Sequence, residues 1–347
     1  MNKILIKWMM VLSITLIFGL YFFLNFNDPL EMISSGKVDK HSHTYKHEGS
    51  APITLIQPIT TPELTPEIKQ KAKLGMRLFL DENFSSNQQV SCESCHHIFD
   101  NGAETIKVSV GVNGAGERNS PTVFNIANNA RFFWDGRASS LEKQMDGPVH
   151  SPLEMDTSWQ KIVAYVAADE SYRVQFDLAF NGEINESTVK ASLVTFMSVL
   201  NTPDSPFDKY LKGEDSSLEP AALAGWKKFN SLGCIVCHQG VNIGGNLFQR
   251  FGNIEGTHIT NEKDLGRYHI TGKEQDKGFF RVASLRNVAE TPPYFHDGRT
   301  ESLEDAIKIM GKFQLGRDLD ASTVIELSAF LRSLTAPPPP ILKELAQ

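Results

Sequence analysis

Cysteine is scarce: the 347 residues hold four thiols, at positions 92, 95, 234 and 237. All four fall into Cys-x-x-Cys pairs, which leaves no thiol for a disulfide and no disulfide sign of an oxidising compartment. Excess positive charge is lacking too. The formal net charge of −7 excludes the basic, phosphate-neutralising surface that nucleic-acid binding needs. The stretch Asn101–Arg118 holds neither His nor Met, and no Tyr lies between Thr300 and Asp318. Asn25-Phe26-Asn27-Asp28-Pro29, directly after Leu24, offers no small-x-small cleavage site.

Each cysteine pair is followed directly by histidine: Cys92-Glu93-Ser94-Cys95-His96 and Cys234-Ile235-Val236-Cys237-His238. Cys-x-x-Cys-His is the attachment signature of a c-type haem. Two thiols so spaced form thioethers to one porphyrin, and the next imidazole becomes the proximal iron ligand. A lone Cys-x-x-Cys would leave zinc or thiol redox chemistry open. Two copies, each with its histidine, predict two covalently bound haem c groups.

The N-terminus sets the compartment. Lys3 and Lys7 precede an almost unbroken apolar run from Trp8 to Phe23, near the ~20 residues that span a bilayer. The expectation is an uncleaved transmembrane anchor over residues 1–24. Because Asp28 and Glu31 follow the run and the lysines precede it, the rest of the chain lies outside the cytoplasm. Residues 25–60 read as a flexible linker whose His41, His43 and His47 are solvated.

Beyond it the pattern is helical. Pro66 suits a first helical turn, and Ile68, Ala72, Leu74, Leu78 and Leu80 form an apolar face that ends at Asp81. Phe133-Trp134-Asp135-Gly136-Arg137-Ala138-Ser139-Ser140-Leu141-Glu142 recurs as Phe295-His296-Asp297-Gly298-Arg299-Thr300-Glu301-Ser302-Leu303-Glu304. Gly75-Met76-Arg77-Leu78-Phe79 has a looser echo in Gly225-Trp226-Lys227-Lys228-Phe229. The predicted fold is therefore mostly α, with two cytochrome c-like haem domains related by duplication, preceded by the anchor. The boundaries are 61–210 for the first domain and 211–335 for the second, with a Pro-rich tail over 336–347. Ile162–Phe180, Ser187–Leu200 and Ser322–Leu334 carry helical apolar spacing and read as scaffold.

The sixth ligand of each iron decides function, because electron transfer favours two filled axial positions and chemistry needs an open face. Spacing alone leaves Met310 equally an axial ligand or an ordinary core methionine. For the first haem, His150, Met145 and Met155 stay open as ligands. Gln144 and Glu154 lie beside them, and a carboxylate at an open iron face can relay a proton between peroxide oxygens. By composition alone Glu154 reads first as a solvated surface acid, ahead of a catalytic one.

From about Leu74 to Leu334 these residues resemble the bacterial dihaem cytochrome c peroxidases, in the broader group that includes the dihaem enzyme maturing methylamine dehydrogenase. The resemblance rests on both haem motifs, Asn119-Ser120-Pro121-Thr122-Val123-Phe124-Asn125, Phe133–Ala138, Thr202-Pro203-Asp204-Ser205-Pro206-Phe207-Asp208, Leu285-Arg286-Asn287-Val288-Ala289 and Pro293-Tyr294-Phe295-His296. It implies a low-potential peroxidatic haem at Cys92, Cys95 and His96, and a high-potential electron-transfer haem at Cys234, Cys237 and His238 with Met310 as distal ligand. It implies catalytic roles for Glu154 and Gln144, an electron conduit at Trp134, and a calcium site from the Asn119 side chain with the Thr291 and Pro293 carbonyls. Hydrogen peroxide is then the substrate, and a small cytochrome c or a cupredoxin the donor. The location is the periplasmic face of the inner membrane, or the periplasm if the leader is cleaved, and a homodimer is the implied assembly. The maturation enzyme's distal tyrosine has no counterpart here. Relatives that cap the first iron with a loop histidine differ at Ser109-Val110-Gly111-Val112-Asn113-Gly114, where this chain has none. Two other activities stay open: a dihaem oxidase of the maturation type and a dihaem electron-transfer cytochrome.

Overall fold

The computed structural model describes residues 56–254 and 263–346. The expected anchor, and the linker as far as residue 55 with its three histidines, lie outside the described residues. Within them, no helix is long and apolar enough to cross a membrane.

Local chemistry sets the elements. Helix α1 (Pro66–Leu80) starts where the Thr65 hydroxyl accepts the Ile68 N–H at 3.2 Å, and Pro66 sits where no intrahelical donor is lost. A short antiparallel hairpin follows, β1 (Val110–Gly111) with β2 (Gly114–Ala115). Then come α2 (Leu141–His150), α3 (Trp159–Ala168), α4 (Glu170–Phe180) and α5 (Glu186–Ser198). The single helix expected over 162–180 is two, because Asp169 ends α3 and its carboxylate caps α4 by accepting from Tyr172 N–H. The second half contributes α6 (Pro206–Leu211), α7 (Pro220–Ser231), β3 (Phe248–Arg250), α8 (Tyr268–Thr271) and β4 (Phe279–Arg281), which pairs antiparallel with β3. Helix α9 (Leu303–Ile309) runs into a π-helical turn, Met310–Gln314, before α10 (Ala321–Arg332) and α11 (Ile341–Leu345).

The sequence repeat is a structural repeat. Gly75 on α1 lies so close to α5 that a Cβ would meet Ser192 O at 2.1 Å, and Gly225 on α7 would meet Glu326 O on α10 at 1.9 Å. Only glycine permits these helix crossings. One turn on, Phe79 meets Phe196 at 5.5 Å between ring centroids, and Phe229 meets Phe330 at 5.0 Å. Each phenylalanine also faces its haem-motif histidine, His96 at 6.5 Å and His238 at 6.3 Å. The later strings match equally well. Isolated bridges pair Phe132 with Ala138 and Tyr294 with Thr300, and serines 140 and 302 cap the helices that follow. Asn125 and Asn287, both left-handed at φ 60° and 59°, each donate to the Thr202 hydroxyl, at 2.7 and 2.9 Å. The two halves thus meet on one side chain.

The described residues form one compact unit with two apolar cores. One is built on α1–α5 and the other on α7, α9 and α10. Its edges differ from the sequence expectation. The linker does not run to residue 60: Ile56 and Ile59 are buried, and Ile59 N–H donates to Asp208 at 3.0 Å. Phe207, within the expected first domain, belongs to the second core. The Pro-rich tail folds back as α11, whose Ile341, Leu342 and Leu345 enter the first core. In each case apolar side chains find a core remote in sequence, which local patterning does not report.

Candidate functional site

Each Cys-x-x-Cys-His motif opens onto its own cavity. The motif backbone coils tightly, with His96 N–H bonded to Cys92 O and His238 N–H to Cys234 O, both at 3.0 Å. This puts two thiols and one imidazole on the same wall. The first cavity, about 580 Å³, is lined by Cys92, Cys95 and His96 together with Trp134, Gln144, Glu154 and Arg137. The second, about 210 Å³, is lined by Cys234, Cys237, His238 and Met310 within an almost wholly apolar wall. No three His, Cys, Asp or Glu side chains converge as a metal site among the described residues.

The donor chemistry fits haem c. Burial pushes the Cys92 thiol up to about 12 and those of Cys95 and Cys234 to about 11, so these cavities favour uncharged sulfur, as in a thioether. Burial also holds both imidazoles neutral, at about 4, the form that ligates iron. His238 Nδ1 lies 3.3 Å from Ile243 O, which leaves Nε2 for the metal, the usual second-shell arrangement of a ligating histidine. Met310 opens the π-helical turn, a distortion common where a helix aims a functional side chain.

The first cavity carries the polar groups. Gln144 and Glu154 line it from α2 and the loop after it. Burial raises the Glu154 carboxyl above its ordinary range, and the Arg137 guanidinium opposes that shift. Arg137 lies flat on Phe133, 3.3 Å from the ring centroid, and pairs with Asp135 at 2.8 Å. The β1–β2 hairpin holds the Glu154 segment: Val112 N–H donates to Glu154 O at 2.8 Å and Asn113 Nδ2 to Pro152 O at 2.7 Å. Gly111 abuts the same segment so closely that a Cβ would lie 2.2 Å from Leu153 O. From Ser109–Gly114, only Ser109 and Gly111 reach the cavity wall. Among the other sixth-ligand candidates, His150 is exposed and outside the cavity, whereas Met145 and Met155 line it.

Trp134 lines both cavities. Its indole N–H donates to Asn119 O at 2.9 Å, and Asn119 N–H donates to His296 O at 2.9 Å. Asn119 is therefore brought beside the segment that carries Thr291 and Pro293. Sequence reasoning passed over four residues here. His296, buried and stacked on Phe280 at 4.0 Å, was legible as the repeat counterpart of Trp134. Arg137 sits in the same repeat, matched by Arg299, whereas Arg118, clamped by Asp264 and Asp135 at 2.7 Å each, and Arg281 belong to no chemical motif, and nothing local marks them.

Fold and cavities together define a c-type protein built for two haems. The family description "Di-haem cytochrome c peroxidase" matches residues 69–216. The cytochrome c551 peroxidase of Pseudomonas aeruginosa is 38% identical over 297 residues, covering 82% of this chain and 85% of that protein. The methylamine utilization protein MauG of Methylorubrum extorquens is 32% identical, with 70% and 69% covered. A crystal structure of a MauG-like protein associated with microbial copper homeostasis superposes with a TM-score of 0.71 at 30% identity, covering 83% of this chain and 95% of that one. The chain belongs to the dihaem cytochrome c peroxidase family, and it is an enzyme of that type, carrying two haem c groups.

Proposed function

We propose that the two cavities divide the work of a hydrogen peroxide reductase: chemistry at the His96 haem, electron entry and storage at the His238 haem. The asymmetry of the cavities carries this reading. One is lined by a methionine as well as the motif histidine, within a largely apolar wall, and the other has a carboxyl and a carboxamide in a larger space. When bound, the haems supply a peroxide-binding iron face and the two electrons that split the O–O bond.

The chain's own residues do the rest. Cys92 and Cys95, and Cys234 and Cys237, hold the two groups by thioethers, with His96 and His238 as proximal ligands. Met310 closes the second iron, and a His/Met pair raises the potential as an electron store requires. In the first cavity Gln144 donates a hydrogen bond to bound peroxide. Glu154 takes the proton from one peroxide oxygen and returns it to the departing one, so that peroxide, two electrons and two protons leave as two waters. Trp134 offers an aromatic path between the cavities. Asn119 Oδ1 with the Thr291 and Pro293 carbonyls forms an all-oxygen set of the kind Ca²⁺ prefers, from two parts of the chain that it would hold in register. The half built on α1–α5 acts as the peroxidatic domain and the half built on α7, α9 and α10 as the electron-transfer domain. Electrons come singly from a small cytochrome c or cupredoxin on the periplasmic side of the inner membrane, to which residues 1–24 anchor the enzyme, with a homodimer as the assembly.

The loop Ser109–Gly114 has no histidine to cap the first iron, so the His96 haem is open at rest. EPR of the fully oxidised protein should show one high-spin and one low-spin ferric haem without prior reduction. A low-spin His96 haem at rest would overturn this, with Met155 the first ligand to test.

A further inference from the structure

Trp134 and Arg281 are the two residues that line both cavities. Trp134 has a role in the reading above; Arg281 has none. It ends β4 and is 4% exposed. Its backbone N–H donates to Trp134 O at 2.7 Å, and its Nε donates to Phe133 O at 3.3 Å. Its remaining hydrogen bond, Nη1 to Val282 O, lies at the 3.5 Å limit, and its guanidinium carbon stands 5.9 Å from the Trp134 ring centroid.

No carboxylate among the described residues pairs with it. The contrast with the other buried arginines is sharp. Arg286, 2% exposed, has Asp208 at 2.7 Å, and Arg118 has both Asp135 and Asp264. A guanidinium buried without a counter-ion costs several kcal/mol. Burial lowers Arg281 only to about 10, so it stays charged at neutral pH. A second polar atom nearby lacks a hydrogen bond: buried Nε2 of His296, on the wall of the second cavity, with Asp264 Oδ2 4.0 Å away. Both side chains line cavities, and the protein alone gives neither a close counter-charge.

Haem c carries two propionate carboxylates, the chemical class a buried guanidinium pairs with best, through two parallel N–H···O bonds. We propose that Arg281 is a shared counter-ion for carboxylates of both haems, so that one cation raises two reduction potentials. Neutralising Arg281 should make both haems harder to reduce, because a nearby cation favours the iron state with less positive charge.

The inference rests on the two-haem reading, and the test separates the two. Arg281→Gln and Arg281→Lys holoenzymes are first assayed for covalent haem, where fewer than two haems per wild-type chain would fail the two-haem reading itself. Each haem's potential is then measured by spectroelectrochemical and EPR-monitored titration. In Arg281→Gln the equilibrium constant for reduction should fall at least tenfold at both haems, 59 mV for a one-electron couple. In Arg281→Lys, which keeps the charge but loses the bidentate fork, both should fall less, by about threefold. A shift at one haem alone, or at neither, in whichever variant assembles with both haems would overturn the proposal. Equal shifts in the two variants would assign the effect to packing rather than charge.

Discussion

Replacing Glu154 by glutamine tests the proposed chemistry with little change of shape. The substituted amide fills the same space, and the Val112 N–H still finds the residue-154 carbonyl, because that bond is made by backbone. What is lost is the ability to carry a proton between two oxygens. A positioned acid–base contributes about 10²–10⁴-fold, which at 1.36 kcal/mol per tenfold is about 2.7–5.4 kcal/mol of barrier. Steady-state oxidation of a reduced cytochrome c at saturating peroxide should therefore show kcat reduced by that factor, with both haem spectra unchanged. The pH dependence adds a second reading. Glu154 must be ionised to accept a proton, and burial raises its pKa. Activity is thus present above that raised value and is lost as pH falls through it. The Arg137 charge opposes the shift, so Arg137→Gln should move this acid limb to higher pH, and Glu154→Gln should abolish it. Turnover within a few-fold of wild type in Glu154→Gln, or an acid limb that survives the substitution, would remove Glu154 from the mechanism.

Two further outcomes are expected. Met310→His should keep the second haem low-spin yet lower its potential, since His/Met ligation raises it; a spectroelectrochemical titration with an unchanged potential would mean that Met310 is only a core residue. Gly225→Ala places a Cβ 1.9 Å from Glu326 O, so α7 and α10 must separate at about 1–3 kcal/mol, seen as a lowered thermal midpoint, and an unchanged midpoint would refute the close-crossing account.

What the sequence determined alone is what local chemistry encodes. The two haem motifs needed only their own five residues each. Thr65, Ser140 and Ser302 cap helices by bonds three residues long, and the repeat of Phe133–Glu142 in Phe295–Glu304 marked a duplication that the matched glycines and phenylalanines of α1 and α7 bear out. Tertiary structure decided the rest, because it depends on chain segments far apart. Nothing near Ile56, Phe207 or Ile341 shows which core each joins. Gln144 and Glu154 share a wall with His96 only through the fold. Asn113 reads as a turn residue until its amide is seen on Pro152 O. Arg281 lies in no motif and looks like any other arginine in sequence. Only the placement of β4 on the walls of two cavities, with no carboxylate paired to it among the described residues, turns it into a buried charge that needs a partner.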